Sequence, residues 1–255
     1  MSAPDNEPMR DEFDTMPLWT AAAVQEVGPQ AALPAGCRGS GTPAALRWLA
    51  ETMGLRPGTR LLDSGAGLGG PAELAAREYG VSPVLVDPML GACRAAARMF
   101  GRPVAVAAGE RLPFPAEAFD AAWCIGVVCT VEDQRSLLAE LRRVVSKGNP
   151  VGLLVFARTT TPLPDQPEGN HFPQVGELST LLDAVGLRTV DQAELASFAD
   201  PPTQWQDEVD RVDAVVQRDH AHDERFRTAQ QQEQVIGRLL SEGLVVGSLK
   251  ACCAT

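Results

Sequence analysis

Two aspartates frame the chemistry available to this sequence. Asp63 ends a short apolar run and stands directly before a turn in RLLDSGAGLGGPAEL, where Gly65, Gly67, Gly69 and Gly70 crowd into six residues. Asp87 ends the next apolar run, in VLVDPML. A chain strips side chains from one turn where something must come close to its backbone. Gly65-x-Gly67-x-x-Gly70 has the spacing of the dinucleotide fingerprint. A pyrophosphate resting on helix-terminal N–H groups gains nothing from a carboxylate just ahead of the first glycine, whereas a ligand bearing an ammonium group does. Asp63 therefore favours a cationic, phosphate-free nucleotide. Asp87, 24 residues on, is suited to accept hydrogen bonds from both ribose hydroxyls. It is equally suited to cap the helix starting near Pro88, and the two roles can coexist.

The candidate general base is His171. It lies in PEGNHFPQ, after the apolar run at 151–157 and on the ligand side of the expected sheet. An unperturbed imidazole titrates near pH ~6.5, which suits proton abstraction. The competing reading is a helix cap or an exposed loop residue. His220 and His222 fall in QRDHAHDER, a solvated charge run. Trp19 and Trp205 could wall a substrate pocket or simply pack. The six cysteines, at 37, 93, 124, 129, 252 and 253, form no C-x-x-C pair, and no His neighbours them at zinc-finger spacing. No metal site is expected. The terminal Cys252-Cys253-Ala254-Thr255 nominally fits a lipidation box, but no polybasic run precedes it and a strand is the better reading.

Positioning these groups requires strands that end at them. Short apolar runs at 60–63, 83–87, 103–107, 120–125 and 151–157 alternate with helical patterns at 71–79, 89–100, 133–145 and 175–186. That alternation predicts βαβ units: an α/β, doubly wound, mostly parallel sheet whose ligands sit beyond the carboxyl ends of the strands. Ahead of it, GTPAALRWLAETMG reads as a helix capped by Thr42, with Pro43 in its first turn and Gly54 at its end. Residues 1–12 are expected to lack fixed structure, and a short helix is expected over 18–27. After a strand near 187–191, residues 196–241 carry two helical stripes, one through Trp205, Val209, Val212 and Val216, the other through Val235, Ile236 and Leu239. The closing LVVGSLKACCA reads as a strand. The expected organisation is an N-terminal segment and cap helix (1–42), an α/β core (43–195), a helical lid (196–241) and a final core strand (242–255).

The chain has 255 residues and a net charge of −11. That charge argues against nucleic-acid partners, whose phosphates call for basic patches. The apolar runs are too short to cross a bilayer, and no signal-peptide pattern precedes them. The expected setting is the cytoplasm, as a monomer or homodimer acting on a small molecule.

LLDSGAGLGG, VLVDPML, ERLPFPAEAFDAAWC and LLAELRRVVSKGNPVGLLVF, in unbroken order over about 45–190, resemble the successive motifs of class I S-adenosylmethionine-dependent methyltransferases. The likeness is strongest to the bacterial group that methylates metabolites and natural products. It implies a Rossmann-like, seven-stranded sheet whose last strand is antiparallel, with S-adenosyl-L-methionine as cofactor and S-adenosyl-L-homocysteine as product. By resemblance, Asp63 orients the amino group of the methionine portion, and Gly65, Ala66 and Gly67 make room for that portion and the ribose. Asp87 holds the ribose, Pro88 and Met89 cover the adenine, and Cys124 and Ile125 flank the sulfonium. Gly109 and Glu110 lie where the adenine amino group is read, although the usual polar position is Ala108 here. Cys129-Thr130 stands where many relatives show Glu-His, so no base comes from that position. Two alternatives stay open. One is a cofactor-binding cyclase that transfers no methyl group. The other is a nicotinamide oxidoreductase, against which stand Asp63 and the lack of a Tyr-x-x-x-Lys pair around Tyr79, the only tyrosine.

Overall fold

A computed structural model describes residues 7–255. Seven strands form one sheet: β1 (Arg60–Ser64), β2 (Ser82–Asp87), β3 (Val104–Val106), β4 (Ala121–Ile125), β5 (Pro150–Arg158), β6 (Leu187–Glu194) and β7 (Val245–Ala254). Their order is β3-β2-β1-β4-β5-β7-β6. The first five run parallel, and β7 pairs antiparallel with both β5 and β6. This is the expected doubly wound α/β sheet with a reversed last strand. Chain order turns back between β1 and β4, so the open crevice lies past their carboxyl ends.

Strand alternation sorts the core into two layers. In β5, Val151, Leu153 and Val155 join Leu137, Leu138 and Leu141 of α6 (Gln134–Val144) and Leu178 and Leu182 of α7 (Val175–Ala184). On the other face, Trp123 and Leu154 join Leu46 and Leu49 of α3 (Pro43–Thr52) and Leu74 of α4 (Gly70–Tyr79). Thr42 caps α3 as expected, its hydroxyl accepting from the Ala45 N–H at 3.2 Å. Gly80 and Gly101 end α4 and α5 (Leu90–Phe100) in the left-handed conformation.

The N-terminal helix departs from expectation. α1 spans Glu7–Val27, so the helix begins well before Leu18 and takes in residues 7–12; residues 1–6 lie outside the described part. Pro17 stands inside α1, and a proline in a helical pattern reads as a boundary. Tertiary contact overrides that signal. The Asp14 carboxylate accepts the Gly91 N–H at 2.5 Å and so caps the start of α5. Gly91 is bare for the same reason, since a Cβ there would collide with the Asp14 carbonyl.

Residues 196–241 hold α8 (Thr203–His220) and α9 (Glu224–Ser241), inserted between β6 and β7 and packed on α1. No helix among the described residues is long and apolar enough to cross a membrane.

Candidate functional site

The glycine turn leaves β1 at Ser64 and enters α4 at Gly70. It hangs from the neighbouring strand: the N–H groups of Gly65 and Ala66 both donate to the Val86 carbonyl, at 2.8 and 3.0 Å. Gly65, Gly67 and Gly69 take φ values of +75°, +52° and +80°, which only glycine adopts freely. The four glycines do different work. A Cβ on Gly65 would strike Val127, one on Gly69 would come within 2.6 Å of Leu85, and one on Gly70 would enter the backbone of Gly36 in α2 (Ala32–Gly36). Around Gly67 nothing lies within 4 Å. One glycine leaves a ligand room; the other three allow close packing. Gly70→Ala should therefore destabilise the protein by about 2 kcal/mol or more, by overpacking against backbone that cannot rotate away. Chemical denaturation measures it, and wild-type stability would mean that α2 and α4 do not meet as described.

Beneath the turn lies Asp63, only 1% exposed. Its Oδ2 is buried and accepts no hydrogen bond. Burial pushes the carboxyl up to about 7, helped by the charge of Asp87 and opposed by the Trp123 indole and the Ala72 N–H. The indole lies close enough to favour the carboxylate, yet its N–H is itself without a hydrogen-bond partner. Asp87 differs. Its Oδ2 accepts from the Gly67 N–H and its Oδ1 from the Met89 N–H, both at 2.9 Å. Burial raises its pKa, and these two N–H groups hold it down. Asp87 thus ties the glycine turn to the β2–α5 turn, and each oxygen keeps a lone pair for a further donor. Pro88 is exposed and Met89 half-buried beside it.

Gly109 sits tightly under this group. A Cβ there would strike Leu137 and lie 3.1 Å from the Ser64 hydroxyl, which is buried without a partner. Glu110 is half-buried, and its charge adds slightly to the upward shift that burial imposes on the Cys124 thiol. Cys124 and Ile125 are core residues on opposite faces of the sheet. What they can offer a ligand at the end of β4 is backbone, with Gly126 following at φ +77°.

The loop after β5 folds back onto the turn after β4. The His171 N–H donates to the Cys129 carbonyl at 2.6 Å, and the His171 carbonyl accepts from the Gln134 side chain at 2.5 Å. Phe172 packs with Cys129, Leu239 and Val245. His171 is thereby fixed beside the short 3-10 turn Val128–Thr130, which follows β4. No hydrogen bond or ion pair among the described residues holds its imidazole. The other aromatic candidates pack. Trp19 stacks on His220 at 4.0 Å, and Trp205 packs against the α3 layer.

Two contributors escaped sequence reasoning. Asp14 fell in a segment assigned no helix. Arg38 lies in a glycine-rich loop and pairs with Asp213 of α8 at 2.6 Å and Glu233 of α9 at 2.9 Å. The next residue's carbonyl, that of Gly39, lies 3.1 Å from where a Gly126 Cβ would stand. Arg38 thus ties α8 and α9 to the carboxyl end of β4. No three His, Cys, Asp or Glu side chains converge as a metal site among the described residues.

Comparison with known proteins agrees with this geometry. Residues 62–155 match the family described as Methyltransferase domain. The ubiquinone/menaquinone biosynthesis C-methyltransferase UbiE of Cupriavidus taiwanensis is 32% identical over 117 residues, covering 43% of this chain and 48% of that protein. The sterol 24-C-methyltransferase of Yarrowia lipolytica is 29% identical over 119 residues, covering 44% of this chain and 31% of that protein. The chain thus spans about half the length, or less, of these curated relatives. The solved structure of the [4+2]-cyclase SpnF superposes with a TM-score of 0.69 at 20% identity, covering 91% of this chain and 92% of that one. At that identity the likeness concerns fold alone. The matched stretch, residues 62–155, carries the glycine turn and both aspartates, and through it this part of the chain is similar to class I S-adenosylmethionine-dependent methyltransferases.

Proposed function

We propose that this chain binds S-adenosyl-L-methionine at the 63–70 turn and transfers its methyl group to a small-molecule acceptor, a metabolite, natural product or lipid, at oxygen, nitrogen or carbon. One observation carries the reading. Asp63 Oδ2 is a buried carboxylate oxygen without a donor, set under a turn whose single open glycine is Gly67. A buried acceptor of this kind is costly until a donor arrives, most of all a charged one. An ammonium group meets that need, and a pyrophosphate does not. Asp87 keeps lone pairs free for ribose hydroxyls, and Pro88 and Met89 give the adenine an apolar seat. When bound, the cofactor supplies an activated methyl group open to in-line displacement. The residues of the chain align the acceptor with it and exclude water. α1, α8 and α9 form the roof of the site, α8 and α9 tied down through Arg38.

Calorimetry with S-adenosyl-L-homocysteine tests the assignment. Asp87→Ala should weaken binding by ~1.5–3 kcal/mol, roughly ten- to a hundredfold, for a lost charge-assisted ribose contact and a loosened turn. Unchanged affinity would sink the ribose role, and tight binding of NAD would sink the class. A second reading, a cofactor-binding cyclase, is compatible with the likeness in fold to the [4+2]-cyclase SpnF over nine-tenths of both chains but is the weaker of the two. Transfer of radiolabelled methyl to an acceptor separates the two.

A further inference from the structure

We infer that the acceptor carries an anionic group, a carboxylate or phosphate, and that Arg158 is the residue that receives it. The inference rests on the methyl-transfer reading above, since it places the acceptor past the carboxyl ends of β4 and β5.

Arg158 is the last residue of β5. Its N–H donates to the Pro173 carbonyl at 2.9 Å, which draws the returning loop, with His171 and Phe172, alongside it. Alternation along β5 sets the side on which its side chain leaves. Leu154 and Phe156 belong to the α3 layer, and a Cβ on Gly152 would meet Met53 and Leu49 of that same layer. Arg158 follows on this side. Its cross-strand partner is Val245, which packs with Cys129, Phe172 and Leu239. The guanidinium therefore starts from an apolar wall next to the candidate base.

In that position it has no side-chain partner among the described residues. Arg158 Nε is fully buried and makes no hydrogen bond. No carboxylate lies within ion-pair distance of the guanidinium among the described residues. This contrasts with arginines elsewhere in the protein: Arg143, for example, binds Glu140 through two nitrogens and also donates to two carbonyls. The chain has 33 acidic residues and a net charge of −11. An unpaired cation at the end of a central strand is thus not explained by a shortage of acids. A half-buried guanidinium with a buried, unpaired Nε is unfavourable unless an anion completes it. Its planar fork suits two parallel bonds to a carboxylate or a phosphate. Phe156, Phe172, Leu163 and Leu239 would line the apolar body to which that group is attached.

The test uses the full chain saturated with S-adenosyl-L-homocysteine, whose own affinity is measured first. Benzoate and phenyl phosphate are then titrated in separate arms by calorimetry, with benzamide as the neutral control. The wild type should bind one of the two anions at least tenfold more tightly than benzamide, and the better arm names the group. Arg158→Gln should remove that preference. Arg158→Lys should keep part of it, since the charge survives without the fork. Melting curves for both variants identify any that fails to fold. Equal anion affinity in wild type and Arg158→Gln overturns the proposal, and so does the absence of any anion preference in the wild type. A tenfold or greater loss of S-adenosyl-L-homocysteine affinity in Arg158→Gln would move the arginine to the cofactor's own carboxylate, and would also overturn it. If S-adenosyl-L-homocysteine does not bind the wild type at all, the cofactor reading falls and the proposal with it.

Discussion

Asp63→Asn should make the ligand-free protein more stable at pH 8 while weakening S-adenosyl-L-homocysteine binding by roughly a hundredfold. Both effects come from one buried carboxylate. Its pKa is raised from 3.8 to about 7, first of all by burial. Below pH ~4 the group is protonated in the folded and unfolded chain alike and does not oppose folding. As pH rises toward 7, the unfolded chain ionises and the folded chain keeps its proton, so stability falls. Above about pH 7 the loss is complete, on the order of 4 kcal/mol. Asparagine cannot ionise and removes that slope. A bound ammonium group does the reverse: it favours the carboxylate, so wild-type affinity should climb with pH through the same window and that of the variant should not. Glu12 is also pushed to about 7, by burial and then by Glu233, and its stability slope has the same sign. Glu12→Gln is therefore the control. It should flatten part of the stability profile and leave the pH dependence of binding in place. Melting curves and calorimetry at pH 5.5 and 8 decide the matter. An Asp63→Asn protein that is less stable than wild type at pH 8, or that binds with unchanged affinity, would refute the role assigned to Asp63.

Much of this site was legible because its signals are local. Asp63 and Asp87 close apolar runs, and strand ends follow from period and breakers within a dozen residues. What sequence could not show is which partner each signal meets. All four glycines look alike in a row, yet three are bare because of Val127, Leu85 and Gly36, which come from other elements. The two stripes in 196–241 predict helices, but not that Arg38 would reach across 175 and 195 positions to bind them. The early start of α1 does not show in a polar stretch without apolar period, because the contact that holds it, Asp14 with Gly91, spans 77 positions. Cys124 was placed at the site by motif position. The structure sends its thiol into the core with Leu62, Val128 and Leu137, so what Cys124 can offer a ligand is backbone.

His171→Ala should lower methyl-transfer turnover by about 10²–10⁴-fold, the usual worth of a positioned general base. Fixed placement is the ground for this expectation. Both backbone polar groups of His171 are engaged, one by the Cys129 carbonyl and one by the Gln134 side chain, while its imidazole is left unheld. An anchored main chain with an unheld imidazole beside the end of β4 leaves a ring nitrogen open to an acceptor's proton. No other histidine competes: His220 is stacked on Trp19 between α1 and α8, and His222 is exposed just past it. The neighbouring turn offers no substitute. The Thr130 hydroxyl donates to the Val127 carbonyl, and the Cys129 thiol is buried, with its pKa pushed up to about 12. S-adenosyl-L-homocysteine affinity should barely change, because the proposal puts the imidazole to work on the acceptor and the nucleotide at Asp63 and Asp87. The deficit should also narrow at high pH, where an ionised acceptor needs no base. Steady-state kinetics across pH provides the check. Near-normal turnover at every pH would mean that the acceptor gives up no proton in the slow step, as for a neutral amine or an activated carbon. A raised KM with unchanged kcat would instead make His171 a residue that holds the acceptor without taking its proton.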